Sequence, residues 1–148
     1  MNFTQLSELL AATVARAPDG RAVADERDDL DWAAFAARVE GYAWLFAAHG
    51  VKAGDRVALW LPNSADYLAL VFALARLAAT AIHVNTRFRA AEVGYLLARS
   101  QASVLATDFG FAPVDFPKIL GEIDAADRRG LRLVVGRDAA VDAIHGLP

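Results

Sequence analysis

The sequence predicts an α/β fold, with a mostly parallel sheet flanked by helices, and three observations carry that expectation. Short apolar runs alternate with segments of helical periodicity along most of the 148 residues. Some of these runs, such as Val57-Ala58-Leu59-Trp60-Leu61, are apolar at every position, as strands are when both faces of their sheet are covered. The connections are short and marked by Gly, Pro, Asn or Asp, which suits βαβ units with right-handed crossovers.

Each element has its own signal. Residues 5–16 repeat Leu6, Leu9, Leu10 and Val14 at helical spacing behind Thr4, a residue type that caps helices, and Pro18-Asp19-Gly20 ends the segment with turn chemistry. Residues 21–30 alternate and predict a small hairpin with a charged, solvated tip at 25–29. A helix over 32–48 follows, with Asp31 as its cap and Phe35, Val39, Tyr42 and Phe46 as its apolar stripe. Gly50 stands where a left-handed C-terminal cap belongs. Gly54-Asp55 turns the chain into a central strand at 56–61, and Pro62-Asn63-Ser64 breaks that strand and caps a helix from 65 to about 79. Strands at 81–84, 104–107 and 131–135 then alternate with helices at 91–99 and 115–126. The last stretch, 137–148, carries only a weak helical hint, so the expected division is a structured part at 1–136 and a weakly structured end at 137–148.

Composition removes several function classes. With 56% hydrophobic and 22% charged residues the chain can offset the ordering entropy of a fold, which excludes disorder. A net charge of -3 with no basic stripe excludes a general electrostatic grip on nucleic acid. The count of zero cysteines excludes disulfides, thiolate zinc sites and a cysteine nucleophile. The greasiest stretch, 67–75, lies between Asp66 and Arg76 and is far short of the ~20 residues that span a bilayer. Nothing at the start has the pattern of a signal peptide, so the expectation is a soluble, cytoplasmic protein without a transmembrane segment.

The usual chemical motifs of α/β proteins are missing. The 10 glycines are scattered singly, so no loop gathers backbone amides around a phosphate, and the two lysines, Lys52 and Lys118, have no glycine-rich neighbourhood. Ser64 fits a helix cap better than a nucleophile. The 3 histidines are isolated: His49 closes a helix, His145 lies in the weak end, and His83 sits in a strand beside a loop, read as a satisfied buried imidazole before a ligand contact. The acidic turn at 25–29 contains Arg27 and lacks oxygen-ligand periodicity, so a solvated turn is favoured over a cation site.

The informative segment is 51–99. G-D-R-V-A-L at 54–59, L-P-N-S at 61–64, F-A-L-A-R-L at 72–77, V-N-T-R at 84–87 and E-V-G-Y-L-L at 92–97 together resemble the amino-terminal part of acyl-CoA synthetases, members of the adenylate-forming, AMP-binding superfamily. The L-D-W-A-A-F pattern at 30–35 and S-Q-A-S-V-L at 100–105 agree, so the resemblance covers about 5–120 without a gap. Each motif alone is weak; their joint order and spacing carry the resemblance.

The resemblance implies a reaction in which ATP, with Mg2+, adenylates a carboxylic acid (fatty acids included) and the acyl group passes to coenzyme A as a thioester. A carboxylate is a poor electrophile and an acyl phosphate anhydride a good one, so the work needs a phosphate loop, a metal carboxylate and a lysine facing developing charge. In the family these lie further along the chain. The expectation is therefore a truncated N-terminal subdomain, inactive alone and holding none of ATP, Mg2+ or coenzyme A tightly. In some ligases of the superfamily a basic residue in the loop corresponding to 84–89 meets the nucleotide phosphates of coenzyme A, which makes Arg87 and Arg89 the candidate binding residues, since a guanidinium fork suits phosphate. The structural alternative is an arginine that pairs with Glu92 or caps a carbonyl, with Asn85 closing the turn. An apolar face left uncovered by the absent part of the family architecture is expected to promote self-association. Two other functional readings stay open: an autonomous, non-enzymatic α/β binding domain, and part of a peptide-synthetase-type unit that loads a carrier thiol.

Overall fold

A computed structural model of the chain describes residues 5–136 together with 144 and 145. The predicted cap Thr4 and most of the stretch 137–148 lie outside the described residues. The elements in chain order are α1 (Leu6–Arg16), β1 (Arg21–Ala24), β2 (Asp29–Asp31), α2 (Trp32–Ala48), β3 (Arg56–Trp60), α3 (Ala65–Arg76), β4 (Thr80–His83), α4 (Ala90–Ser100), β5 (Val104–Thr107), α5 (Phe116–Glu122), β6 (Leu133–Gly136) and β7 (Ile144–His145). Two compact units divide them: Met1–Gly54 with Asn63–Thr80, and Asp55–Pro62 with Ala81–Pro148.

In the first unit α1, α2 and α3 pack together and the β1–β2 hairpin packs on α2. The hairpin is antiparallel with an irregularity between Arg21 and Val23. The core of this unit gathers Leu10, Phe35, Val39, Ala43, Ala69 and Ala73, and Phe35 meets Phe72 edge to face with centroids 5.6 Å apart. Alanine at three of those positions lets helices approach closely. Asp31 caps α2 by accepting the Ala34 N–H at 2.7 Å. At the other end Gly50 takes φ +74, the Gly50 N–H reaches the Ala47 carbonyl at 2.9 Å, and the Val51 N–H reaches Phe46 at 2.9 Å, a Schellman ending as the glycine predicts. The helix α3 ends the same way without a glycine: Ala78 stands at φ +53, and α3 stops at Arg76 rather than near residue 79.

The tip of the hairpin is not simply solvated. Half-buried Asp25 accepts the N–H groups of Arg27 and Asp28 through one oxygen and that of Ala65 through the other, at 2.8–2.9 Å. Asp28 forms a two-pronged pair with Arg38 at 2.8 and 2.9 Å, and Arg38 also reaches Asp66 at 3.2 Å. The acidic run is thus a joint between hairpin, α2 and α3, and its carboxylates face amides and a guanidinium.

The second unit holds a five-stranded sheet in the order β4-β3-β5-β6-β7. The pairs β3–β5 and β5–β6 are parallel, and the short β7 returns antiparallel beside β6. Alternate residues Ala58, Trp60, Leu105 and Val134 form a core with Val93 and Leu97 of α4 and Phe116, Ile119 and Leu120 of α5. Residues of the other parity, Val57, Leu59, Val104, Ala106, Leu133 and Val135, are buried as well. Both faces of these strands are withdrawn from water, as their unbroken apolar runs require. The large apolar side chains that are exposed among the described residues lie on helices: Leu6, Leu9, Trp44, Leu68 and Tyr95.

Candidate functional site

The loop 84–89 leaves the sheet between β4 and α4. Its start is tied to the neighbouring strand, because the Val84 N–H donates to the Leu59 carbonyl at 3.0 Å. Trp60, fully buried at the end of β3 and edge-on to Phe116 at 4.6 Å, donates its indole N–H to the Asn85 carbonyl at 3.2 Å. A buried indole needs an acceptor, and this one is the first backbone carbonyl of the exposed turn.

The turn closes on itself. Asn85 Oδ1 accepts the Arg87 N–H at 2.9 Å, the Asn85 carbonyl also accepts the Phe88 N–H at 3.0 Å, and Glu92 accepts the Arg89 N–H at 2.9 Å. Asn85 therefore shapes the loop, as its side chain predicts. The Glu92 carboxyl is held below the ordinary glutamate value, chiefly by that bond from the Arg89 backbone.

The two candidate arginines part company here. Arg89 turns its Nη1 back onto the loop, 3.0 Å from the Arg87 carbonyl, 3.1 Å from Phe88 and 3.4 Å from Thr86. It is a carbonyl cap, the structural alternative seen in the sequence, although its pairing with Glu92 runs through the backbone N–H. Arg87 is exposed, and among the described residues no hydrogen bond or ion pair engages its guanidinium. What the loop presents outward is one unengaged cation at the end of a strand, where ligands of open α/β sheets gather.

Other singled-out residues settle individually. Ser64 is the cap of α3, accepting the Tyr67 N–H at 3.1 Å. The His49 Nδ1 lies 2.9 Å from the Leu45 carbonyl at the end of α2. His83 is exposed, which corrects the buried imidazole expected for it: β4 is the outermost strand of the order, with exposed residues at both its ends. No group of three or more metal-ligating side chains occurs among the described residues. Trp60 is the residue that sequence reasoning missed. Its signal was an indole late in the apolar run 57–61, where the ring is buried and its N–H must find a partner near the strand's end.

The comparisons with known proteins agree on one relationship. A family model described as AMP-binding enzyme matches residues 10–145. The chain is similar to the long-chain-fatty-acid–CoA ligase FadD13 of Mycobacterium tuberculosis, at 40% identity over 70 residues, covering 47% of this chain and 14% of that protein. It is similar to the crotonobetaine/carnitine–CoA ligase of Escherichia coli K12, at 32% identity over 103 residues, covering 70% of this chain and 19% of that protein. Among solved structures, the inhibitor-bound N-terminal domain of FACL13 from Mycobacterium tuberculosis matches with a TM-score of 0.82 at 27% identity, over 92% of this chain and 34% of that one. The anthranilate CoA ligase AuaEII in complex with anthranoyl-AMP shares the fold, with a TM-score of 0.80 at 19% identity, over 95% of this chain and 26% of that one. The chain spans 14–19% of the length of these two curated relatives.

Proposed function

The chain belongs to the AMP-binding enzyme family, and on that premise we propose that it forms the N-terminal part of an ATP-dependent acyl-CoA ligase, with residues 1–136 in the first portion of the adenylation domain. The observation that carries this reading is the match of one family model across both compact units. Support comes from the relatives' names, which are those of coenzyme A ligases. Those names differ in the acid, so the proposal is a carboxylic acid without a fixed chain length.

Within that reaction the described residues fit only part of the chemistry. Arg87 fits an anionic group such as the nucleotide phosphates of coenzyme A, as an exposed guanidinium on a closed loop. ATP and Mg2+ do not find matching groups among the described residues: glycines are not clustered, and no group of three or more metal-ligating side chains occurs. No adenylation step is assigned to them, and the chain alone is proposed to be inactive. No helix among the described residues is long and apolar enough to cross a membrane, and the proposed ligase works in the cytoplasm.

The test is a chimera in which this chain replaces the segment that superposes on it in the Mycobacterium tuberculosis fatty acyl CoA synthetase. AMP release that depends on acid, ATP and coenzyme A together is the expected result. A folded chimera that releases none would contradict the proposal and favour an autonomous binding domain.

A further inference from the structure

The loop 84–89 has an unusual internal economy of polar groups. The N–H groups of Arg87, Phe88 and Arg89 all donate inside the protein, to Asn85 Oδ1, the Asn85 carbonyl and Glu92. The carbonyls of Thr86, Arg87 and Phe88 all converge on Nη1 of Arg89. Consecutive amides therefore cannot act as an anion nest, because each is committed before a ligand arrives. Three carbonyl dipoles around one guanidinium also use up its hydrogen-bonding on the side that faces the loop. The backbone on either side of Arg87 is fixed from within, which leaves side chains to answer an anion: Arg87 with its whole guanidinium, and Arg89 with only the nitrogens not turned onto the loop.

We propose that Arg89 is a positioning residue, a strap that holds the loop in the conformation presenting Arg87. This rests on the ligase reading of the chain and deepens it, since it separates two arginines to which the resemblance assigned one role. Charge at position 89 is then not enough. A lysine there keeps the cation but, as a flexible point charge, it does not reproduce the guanidinium's fit to a curled backbone. At position 87, by contrast, lysine keeps the essential feature, a cation at the end of an ordered loop.

The experiment uses the whole 148-residue chain and coenzyme A as probe, with Arg87→Ala, Arg87→Lys and Arg89→Lys compared with wild type. Affinity is followed by amide shifts, and loop order by hydrogen exchange at the Arg87, Phe88 and Arg89 amides. Wild type and Arg87→Lys should bind within a few-fold of each other, and Arg87→Ala should lose binding with its loop exchange unchanged. Arg89→Lys should bind about tenfold more weakly, the order of one charge-assisted contact, and should exchange faster at all three amides. Unchanged exchange in Arg89→Lys would overturn the strap, and faster exchange with wild-type affinity would overturn its positioning role. If Arg89→Lys binds as wild type in both respects, the division between the arginines is wrong while the ligase reading stands. If wild type shows no coenzyme A-dependent shifts, the ligand reading of this loop fails and the positioning role goes with it.

Discussion

The carboxylate of Asp25 accepts the N–H of Ala65 at 2.8 Å, joining the turn of the first hairpin to the opening residue of a helix 40 positions later. The first amides of a helix have no partner within it, and a carboxylate is well suited to them by both hydrogen bonding and dipole. Ser64 serves the Tyr67 amide from the same end, so α3 is capped once locally and once from afar. Asp25→Ala strands the amide of fully buried Ala65 and two turn amides, and should cost about 2–3 kcal/mol in urea unfolding. Asp25→Asn keeps one acceptor and should cost about 1 kcal/mol. Equal midpoints for wild type and Asp25→Ala would contradict the joint.

Arg38 is the second fastening of that joint. It grips Asp28 with two nitrogens and reaches Asp66 with one, and the three side chains are 28%, 19% and 11% exposed. Removing the guanidinium takes its counter-charge and its three hydrogen bonds away from two largely buried carboxylates. Arg38→Met should therefore destabilise the fold by about 2–4 kcal/mol, below the full penalty for a wholly buried pair because the site is partly wet. Arg38→Lys cannot make the fork and should lose about 1–2 kcal/mol. Thermal melts that rank lysine below methionine would refute this.

The start of α4 should depend on pH through Glu92. Its carboxyl is held below the ordinary value of 4.5 because the ionised form accepts the Arg89 N–H. A group depressed in the folded state contributes stability that is present above its unfolded value and lost as pH falls through the folded value. The protection factor of the Arg89 amide, measured against its intrinsic exchange rate, should therefore be high near neutrality and fall as Glu92 is protonated below its ordinary value. Glu92→Gln should show no such step. A Glu92 titration midpoint at or above the ordinary value, read by carboxyl chemical shift, would contradict the assignment.

Ala78 carries a left-handed backbone at φ +53, in the position that glycine fills after α2. An L-residue with a Cβ is disfavoured there and glycine is not. Ala78→Gly should stabilise the chain by about 0.5–1 kcal/mol in chemical denaturation. A loss of stability would mean that the Cβ contributes more packing than the strain it brings.

The same residue shows where the sequence stops being legible. Asp31 and Gly50 bracket α2, and its observed bounds are those read from the residues. Past α3 the signal was absent, since Ala78 does what a glycine would announce, and the helix ends three residues early. The predicted helix at 115–126 shortens to Phe116–Glu122 because Ile123, apolar and in step with the pattern, turns extended and is buried in the core. The strand β7 is two residues long and exists only through its pairing with Val134 and Val135, so local pattern could not announce it. At the site, Asn85 was readable because its chemistry is local. The strap made by Arg89 was not, since an arginine's choice between solvent and three carbonyls depends on the curl of the loop. Asp25 and Asp28 looked solvated because their partners, Ala65 and Arg38, are distant in sequence.

The most direct test of the account is calorimetric titration of the chain with coenzyme A and, in parallel, with pantetheine, which lacks the nucleotide phosphates. If the chain is the part of an acyl-CoA ligase that offers Arg87 to those phosphates, coenzyme A binds weakly and saturably, pantetheine binds at least about tenfold more weakly, and raising the salt concentration narrows the difference. Equal affinity for the two, or binding of neither, would contradict it.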